Sequence, residues 1–239
     1  MVWRALSSGI DAETNGERIL LRVGGDAATR FFDVGANVGA WTSLCLQHAS
    51  STAEIVAFEP GLSALERLRQ LHGANPRVEI VAKSVGEEEN IVTFFEEPGA
   101  GETSSLVAGF SRVGAVERKV EMTTVDAELE RRAWDGLDFL KIDTEGYDFF
   151  VLVGATSALS EQRIGIVQFE YNAPWAVAGS TLRAALDLLK RYGYQVFLLK
   201  HDGLHTVRYE KFGEYFAYSN YVALCPRVIP AFKNCIHAF

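Results

Sequence analysis

The residues best suited to chemistry by type and spacing begin with Asp33-Val34-Gly35-Ala36-Asn37-Val38-Gly39. Its glycines let the backbone turn sharply and approach a ligand closely. A helix starting after Gly39 offers unpaired N–H groups and a positive dipole end to an anion. Glu59 follows at the end of the next apolar run. An acid there can accept hydrogen bonds from both ribose hydroxyls of an adenosine. Two cofactors compete for this arrangement. A dinucleotide needs G-x-G-x-x-G, and those places hold Gly35, Asn37 and Ala40, so the middle glycine is missing. S-adenosylmethionine has no pyrophosphate and does not need it. Its α-ammonium suits Asp33, and its carboxylate suits the helix start near Gly39 and Thr42.

A second group is acidic. Asp143 and Glu145 flank one residue, and Glu170 ends a later apolar run. Methyl transfer from a sulfonium is a direct displacement that needs alignment and dryness. A hydroxyl acceptor must also lose a proton, so a base or a metal that acidifies it is expected nearby. Three carboxylates around one cleft can hold Mg²⁺, or one of them with a raised pKa can act alone. The plainer readings are that Asp143 positions the methionine end and that Glu145 sits at the positive end of a helix. Lys141 either tunes Asp143 or pairs with an acid. His201 and His205 precede the last strand, where a histidine base would suit neutral pH. Ser104 and Ser105 fall in a glycine-rich loop. Trp175, with Tyr171 and Asn172, either stacks on a sugar or belongs to the core.

Apolar runs alternate with helical patterns, the signature of a parallel sheet. Strands are expected at 30–34, 54–58, 78–82, 137–142, 164–169, 194–199 and 219–224, with helices at 40–49, 63–71, 147–159 and 180–192. Extra strands are expected at 91–95 and 120–125, a mobile loop at 98–105, and a polar loop at 201–216. Ser180 can cap its helix and Gly193 can follow its end. The fold class is α/β: a Rossmann-like, doubly wound, seven-stranded, mostly parallel sheet with an antiparallel C-terminal strand. Ligands of such sheets lie beyond the carboxyl ends of the strands.

The 239 residues are 48% apolar, enough for one sizeable core. One domain is expected over 1–239, with a lead-in at 1–29, a cofactor-binding and catalytic core at 30–172, and substrate-side strands at 173–239. The net charge of −8 disfavours a nucleic-acid partner. The longest basic runs are pairs such as Arg131-Arg132 and Lys190-Arg191. No run is apolar and long enough for a membrane span. Asp11, Glu13 and Glu17 stand where a secretory signal would be apolar. Cys45, Cys225 and Cys235 show no metal-ligand spacing. A cytoplasmic protein with reduced thiols is expected. The sequence leaves the oligomeric state open, a homodimer included.

Four pieces resemble the FkbM-type methyltransferases. They are Phe32-Asp33-Val34-Gly35-Ala36-Asn37-Val38-Gly39, Ala57-Phe58-Glu59-Pro60, Thr123-Thr124-Val125-Asp126 and Leu140-Lys141-Ile142-Asp143-Thr144-Glu145-Gly146. The resemblance implies methyl transfer from S-adenosylmethionine, usually to a hydroxyl of a sugar or secondary metabolite. It implies a cofactor lined by Asp33, Gly35, Asn37, Gly39 and Glu59, with Ala82-Lys83-Ser84 flanking the adenine. The chain departs from the family pattern at Ser84-Val85-Gly86-Glu87-Glu88. The expectation is an O-methyltransferase for a small molecule or glycan. The alternatives are an NAD(P)-dependent oxidoreductase, an N-methyltransferase for a peptide or small amine, and a non-catalytic binding module.

Overall fold

The computed structural model describes residues 15–99, 101, 103–111 and 114–238. Asp11 and Glu13 lie outside them. The larger sheet contains β1 (Arg30–Val34), β2 (Glu54–Phe58), β3 (Val78–Val81), β7 (Leu137–Ile142), β8 (Ile164–Tyr171), β9 (Gln195–Lys200), β10 (Gly203–Thr206), β11 (Ser219–Leu224) and β12 (Ile236–His237). Their order is β12-β10-β9-β11-β8-β7-β1-β2-β3. The expected seven strands are all present, and the count is corrected to nine by β10 and β12 at one edge. Both are too short for a period-2 pattern to register, and β10 lies inside the expected loop at 201–216. The strands from β3 to β8 run parallel, and β11 runs antiparallel to both β8 and β9.

Period-2 alternation divides the side chains between two faces. Phe32, Val34, Leu140, Ile142, Val167 and Phe169 belong to one apolar cluster, and Phe31, Ile55, Phe139, Ile166 and Val222 to the other. Helices Glu17–Gly24, Ala40–His48 and Leu62–His72 cover the second face. Helices Val125–Arg131, Asp148–Val153 and Leu182–Arg191 cover the first. The expected helix at 147–159 is broken at Gly154-Ala155, and Thr156–Ser160 continues as a separate turn. A Cβ at Gly154 would overlap the backbone oxygen of Gly86, so glycine allows a close approach there. Thr181, rather than Ser180, caps the helix at Leu182, accepting from Ala184 N at 3.1 Å. The Ser180 hydroxyl instead donates to the Trp175 carbonyl.

The extra extended segments form a separate sheet of β4 (Ser84–Val85), β5 (Asn90–Glu96) and β6 (Val116–Thr123), ordered β4-β6-β5. Glu96 docks it onto the main body. It accepts from Ser63 N at 2.9 Å, at the start of helix Leu62–His72, and from Arg118 Nε at 2.6 Å. Among the described residues no helix is long and apolar enough to cross a membrane, and Cys45, Cys225 and Cys235 are free thiols.

Candidate functional site

Three rows of side chains cross the second face of the sheet. Phe31, Phe139 and Ile166 are neighbours in register, and this row is apolar. One step toward the carboxyl edge the row reads Asp33, Lys141, Gln168. The last step carries Asp143, with Glu170 opposite Asn220. The apolar core thus gives way to buried polar groups at the edge where parallel sheets bind ligands. A cleft of about 330 Å³ opens there, at the lower end of ligand-pocket sizes.

At one end the first strand turns through Gly35 (φ 77°), Asn37 (φ 48°) and Gly39 (φ 89°). A side chain at Gly35 would meet the Asp143 carbonyl, so the turn packs directly on the end of β7. Glu59 accepts from Asn37 N at 2.8 Å and from Gly61 N at 2.7 Å. Each carboxylate oxygen keeps a lone pair, so a vicinal diol fits there. Burial pushes the Glu59 carboxyl up to about 7. Gly39 caps helix Ala40–His48 without a side-chain bond, leaving first-turn N–H groups unpaired. His72 Nε2 lies 3.1 Å from the Gly39 carbonyl and 3.0 Å from Ser43 Oγ, bracing the turn. The Asn37 Oδ1 is buried without a partner. Ser84 lines the cleft and donates to the Glu121 carbonyl.

Asp33 is fully enclosed and does not line the cleft. Its Oδ2 accepts from Thr42 Oγ1 at 2.6 Å, and its Oδ1 has no partner. These two residues hold the turn from behind.

At the other end Asp143, Glu145 and Glu170 offer oxygens that lie within 4.8 Å of one another. Lys141 Nζ holds Asp143 at 2.8 Å. Burial alone would lower the lysine, but Asp143, Asp33 and Glu17 around it hold it above its ordinary value. Glu145 has φ 52°, and Asn172 donates to both Glu145 and Glu170. Burial, then the negative charges of Asp143 and Asp148, push Glu145 up to about 8. Burial and Asp143 push Glu170 well above the carboxylate range. Asp148, behind them, takes the Thr144 hydroxyl at 2.9 Å and Glu170 N at 3.1 Å, and burial raises it to about 7.

The family model described as "Methyltransferase FkbM domain" matches residues 33–196, more than half of the chain. The chain belongs to the FkbM methyltransferase family. That membership supports methyltransferase function. A solved FkbM methyltransferase from Methylobacillus flagellatus is 17% identical with a TM-score of 0.56, over 92% of this chain and 49% of that one. This FkbM chain therefore spans about half the length of that relative. An rRNA methylase from Streptococcus thermophilus is 11% identical with a TM-score of 0.50, over 91% of this chain and 98% of that one. Identities this low speak for the fold alone. No curated protein matches the sequence.

The FkbM cleft brings together Gly35, Asn37, Glu59, Ser84, Asp143, Glu145 and Glu170. It does not receive His201, which is exposed in the turn between β9 and β10. His205 faces away as well, paired with Asp202 at 2.8 Å. Trp175 is fully buried against Phe169 and Tyr171, which places it in the core rather than on a sugar face. Sequence reasoning missed Asn15, Glu17, Tyr218 and Asn220, all in the cleft lining. Tyr218 and Asn220 had a usable signal. An antiparallel β11 must start, not end, at the carboxyl edge.

The buried acids give a pH dependence. Glu59, Glu145, Asp148 and Glu170 all bind protons more tightly folded than unfolded. Their contribution is complete below about pH 4; that of Glu59, Asp148 and Glu145 is lost as pH rises through about 7 to 8, and that of Glu170 as pH rises beyond the usual carboxylate range. Glu59 alone is expected to cost the ligand-free protein roughly 3 kcal/mol between pH 5 and 8.5, a Tm fall of roughly 6–12 °C, and the other three act in the same direction. Differential scanning fluorimetry across that range tests it. A flat or rising Tm would show that these carboxyls are ionised throughout.

Proposed function

We propose that this chain transfers the methyl group of S-adenosylmethionine to a hydroxyl of a sugar, glycan or secondary metabolite. One observation carries the reading: the glycine turn and Glu59 share a single cleft with the Asp143, Glu145 and Glu170 cluster. The diol-ready Glu59, the open helix start and the orphaned Asn37 Oδ1 fit an adenosine and an amino-acid carboxylate. When bound, the cofactor supplies an electrophilic methyl. The chain's own residues align the acceptor, exclude water and take its proton. Lys141 neutralises Asp143, which leaves Glu145 to take the proton and Glu170, the more enclosed of the two, to donate to the acceptor. The absence of a middle glycine argues against the nicotinamide alternative.

A second reading keeps the reaction and gives the three carboxylates a divalent cation such as Mg²⁺. It is favoured by their mutual separation within 4.8 Å. A small-molecule acceptor and a cytoplasmic setting fit the net charge of −8. Arg131 and Arg132, one of the longest basic runs, are tied to Glu128, Glu89 and Glu79 and cannot serve a phosphate backbone. Methyl-labelled cofactor incubated with fractionated metabolites, with and without EDTA, is the test. Label is expected in a hydroxylated neutral fraction. An unchanged rate under EDTA would discard the metal, and label fixed on an amine would move the enzyme to N-methylation.

A further inference from the structure

Residues 15–17, ahead of β1, form part of the cleft wall. Asn15 and Glu17 both line it, and the two residues are 3% and 5% exposed. Gly16 pins this strap to the end of β9. It has φ 99°, and a Cβ there would overlap the Lys200 carbonyl oxygen. Leu20 and Leu21, one turn later, are fully buried beneath the sheet. Gln168 Nε2 on β8 donates to Glu17 Oε1 at 2.5 Å. The Glu17 carboxylate therefore sits above β7 and β8, beside Lys141.

The order of the sheet sets the order of a ligand along its edge. The diol site at Glu59 is on β2, the glycine turn is on β1, and Lys141 and Asp143 are on β7. With a ribose on Glu59, the amino-acid arm of the cofactor crosses β1 toward β7. Asp33, the acid that the sequence offers for the α-ammonium, is walled off from the cleft with one oxygen taken by Thr42. Asp143 already holds the Lys141 ammonium. Glu17 faces the cleft at that point, with a neutral carboxamide rather than a cation bonded to it.

We propose that Glu17 is a cofactor-binding residue whose carboxylate receives the α-ammonium of the amino-acid arm, so that the Asn15–Glu17 strap completes the cofactor site. This rests on the S-adenosylmethionine reading. A carboxylate–ammonium contact away from bulk water is a strong, directional interaction, and the cation nearest Glu17, Lys141, is bonded to Asp143 rather than to Glu17. The ligand's ammonium supplies the missing direct contact.

The test uses two probes and the full chain. S-adenosylhomocysteine carries the α-ammonium; 5′-methylthioadenosine keeps the adenosine and sulfur but lacks the amino-acid arm. Glu17→Gln retains the size of the side chain and its bond to Gln168. Calorimetry is expected to show S-adenosylhomocysteine binding weakened at least tenfold, with 5′-methylthioadenosine within twofold of the parent. Glu17→Asp, which keeps the charge on a shorter stem, should recover part of the loss. Equal weakening of both ligands would mean that Glu17 only holds the strap, and unchanged S-adenosylhomocysteine binding would remove it from the site. Either result overturns the proposal. A parent protein that binds neither probe overturns the cofactor reading instead.

Discussion

Glu145→Gln is expected to slow methyl transfer by about 10²–10⁴-fold, the usual worth of a positioned general base, while S-adenosylhomocysteine affinity stays within about twofold. That loss corresponds to about 2.7–5.5 kcal/mol of barrier. Three carboxylates, Asp143, Glu145 and Glu170, line the cleft. Asp143 is occupied by Lys141 at 2.8 Å. Glu170 is the more enclosed of the other two, 4% exposed, and its carboxyl is held well above the usual range. It is suited to stay protonated and to donate to the acceptor. Glu145, raised to about 8, exchanges its proton near neutral pH. In the metal-free reading the base must be ionised, so kcat/KM should rise with pH, bend near 8 and level off above it. An arriving sulfonium favours the carboxylate, so the same limb in kcat should sit at lower pH. Both limbs should vanish in Glu145→Gln and persist, at a rate reduced about tenfold, in Glu170→Gln. Transfer of labelled methyl into the acceptor fraction provides the measurement. A Glu145→Gln rate within threefold of the parent would take Glu145 out of the chemistry.

The sequence made one side of this site readable and hid the other for a physical reason. The glycine turn and Glu59 belong to consecutive elements, so their geometry is local and their residue types carry it. Lys141 and Asp143 were readable because the end of a parallel strand is a known place for a ligand. Glu17 bonds to a residue 151 positions away, and nothing near it in sequence announces that contact. Asp33 illustrates the opposite case. Its place in the motif suggests a ligand contact, yet the packing of Thr42 against it turns it into a support. His201 looked available because β10 is only four residues long, Gly203–Thr206, and its hairpin with β9 could not be seen in the pattern. The seven principal strands were legible because each carries a clear apolar run. The edge additions and the Gly154 break in the helix expected at 147–159 depend on tertiary contacts.

The largest structural effect is expected from Gly35→Ala. Gly35 is at φ 77°, and its missing side chain is the space occupied by the Asp143 carbonyl. Two separate penalties act. An L-residue in the left-handed region costs about 1–2 kcal/mol. The overlap must then be relieved by moving either the turn or the end of β7. β7 is paired on both sides, with Asp143 N bonded to the Val34 carbonyl at 2.9 Å. The turn is fastened by Gly35 N and Ala36 N to the Phe58 carbonyl. Neither can move without breaking these bonds, so a total near 3–4 kcal/mol is expected, with a Tm fall of roughly 6–16 °C. Because the turn and Asp143 meet at this atom, the folded fraction should also bind S-adenosylhomocysteine at least tenfold more weakly. Gly179→Ala separates the two penalties. Gly179 has a similar φ of 75°, with nothing within 4 Å of an added Cβ. It should lower Tm by only roughly 2–8 °C and leave S-adenosylhomocysteine binding unchanged. If Gly35→Ala behaved like Gly179→Ala in both measurements, the contact between the glycine turn and β7 would not be what aligns the two halves of the cleft.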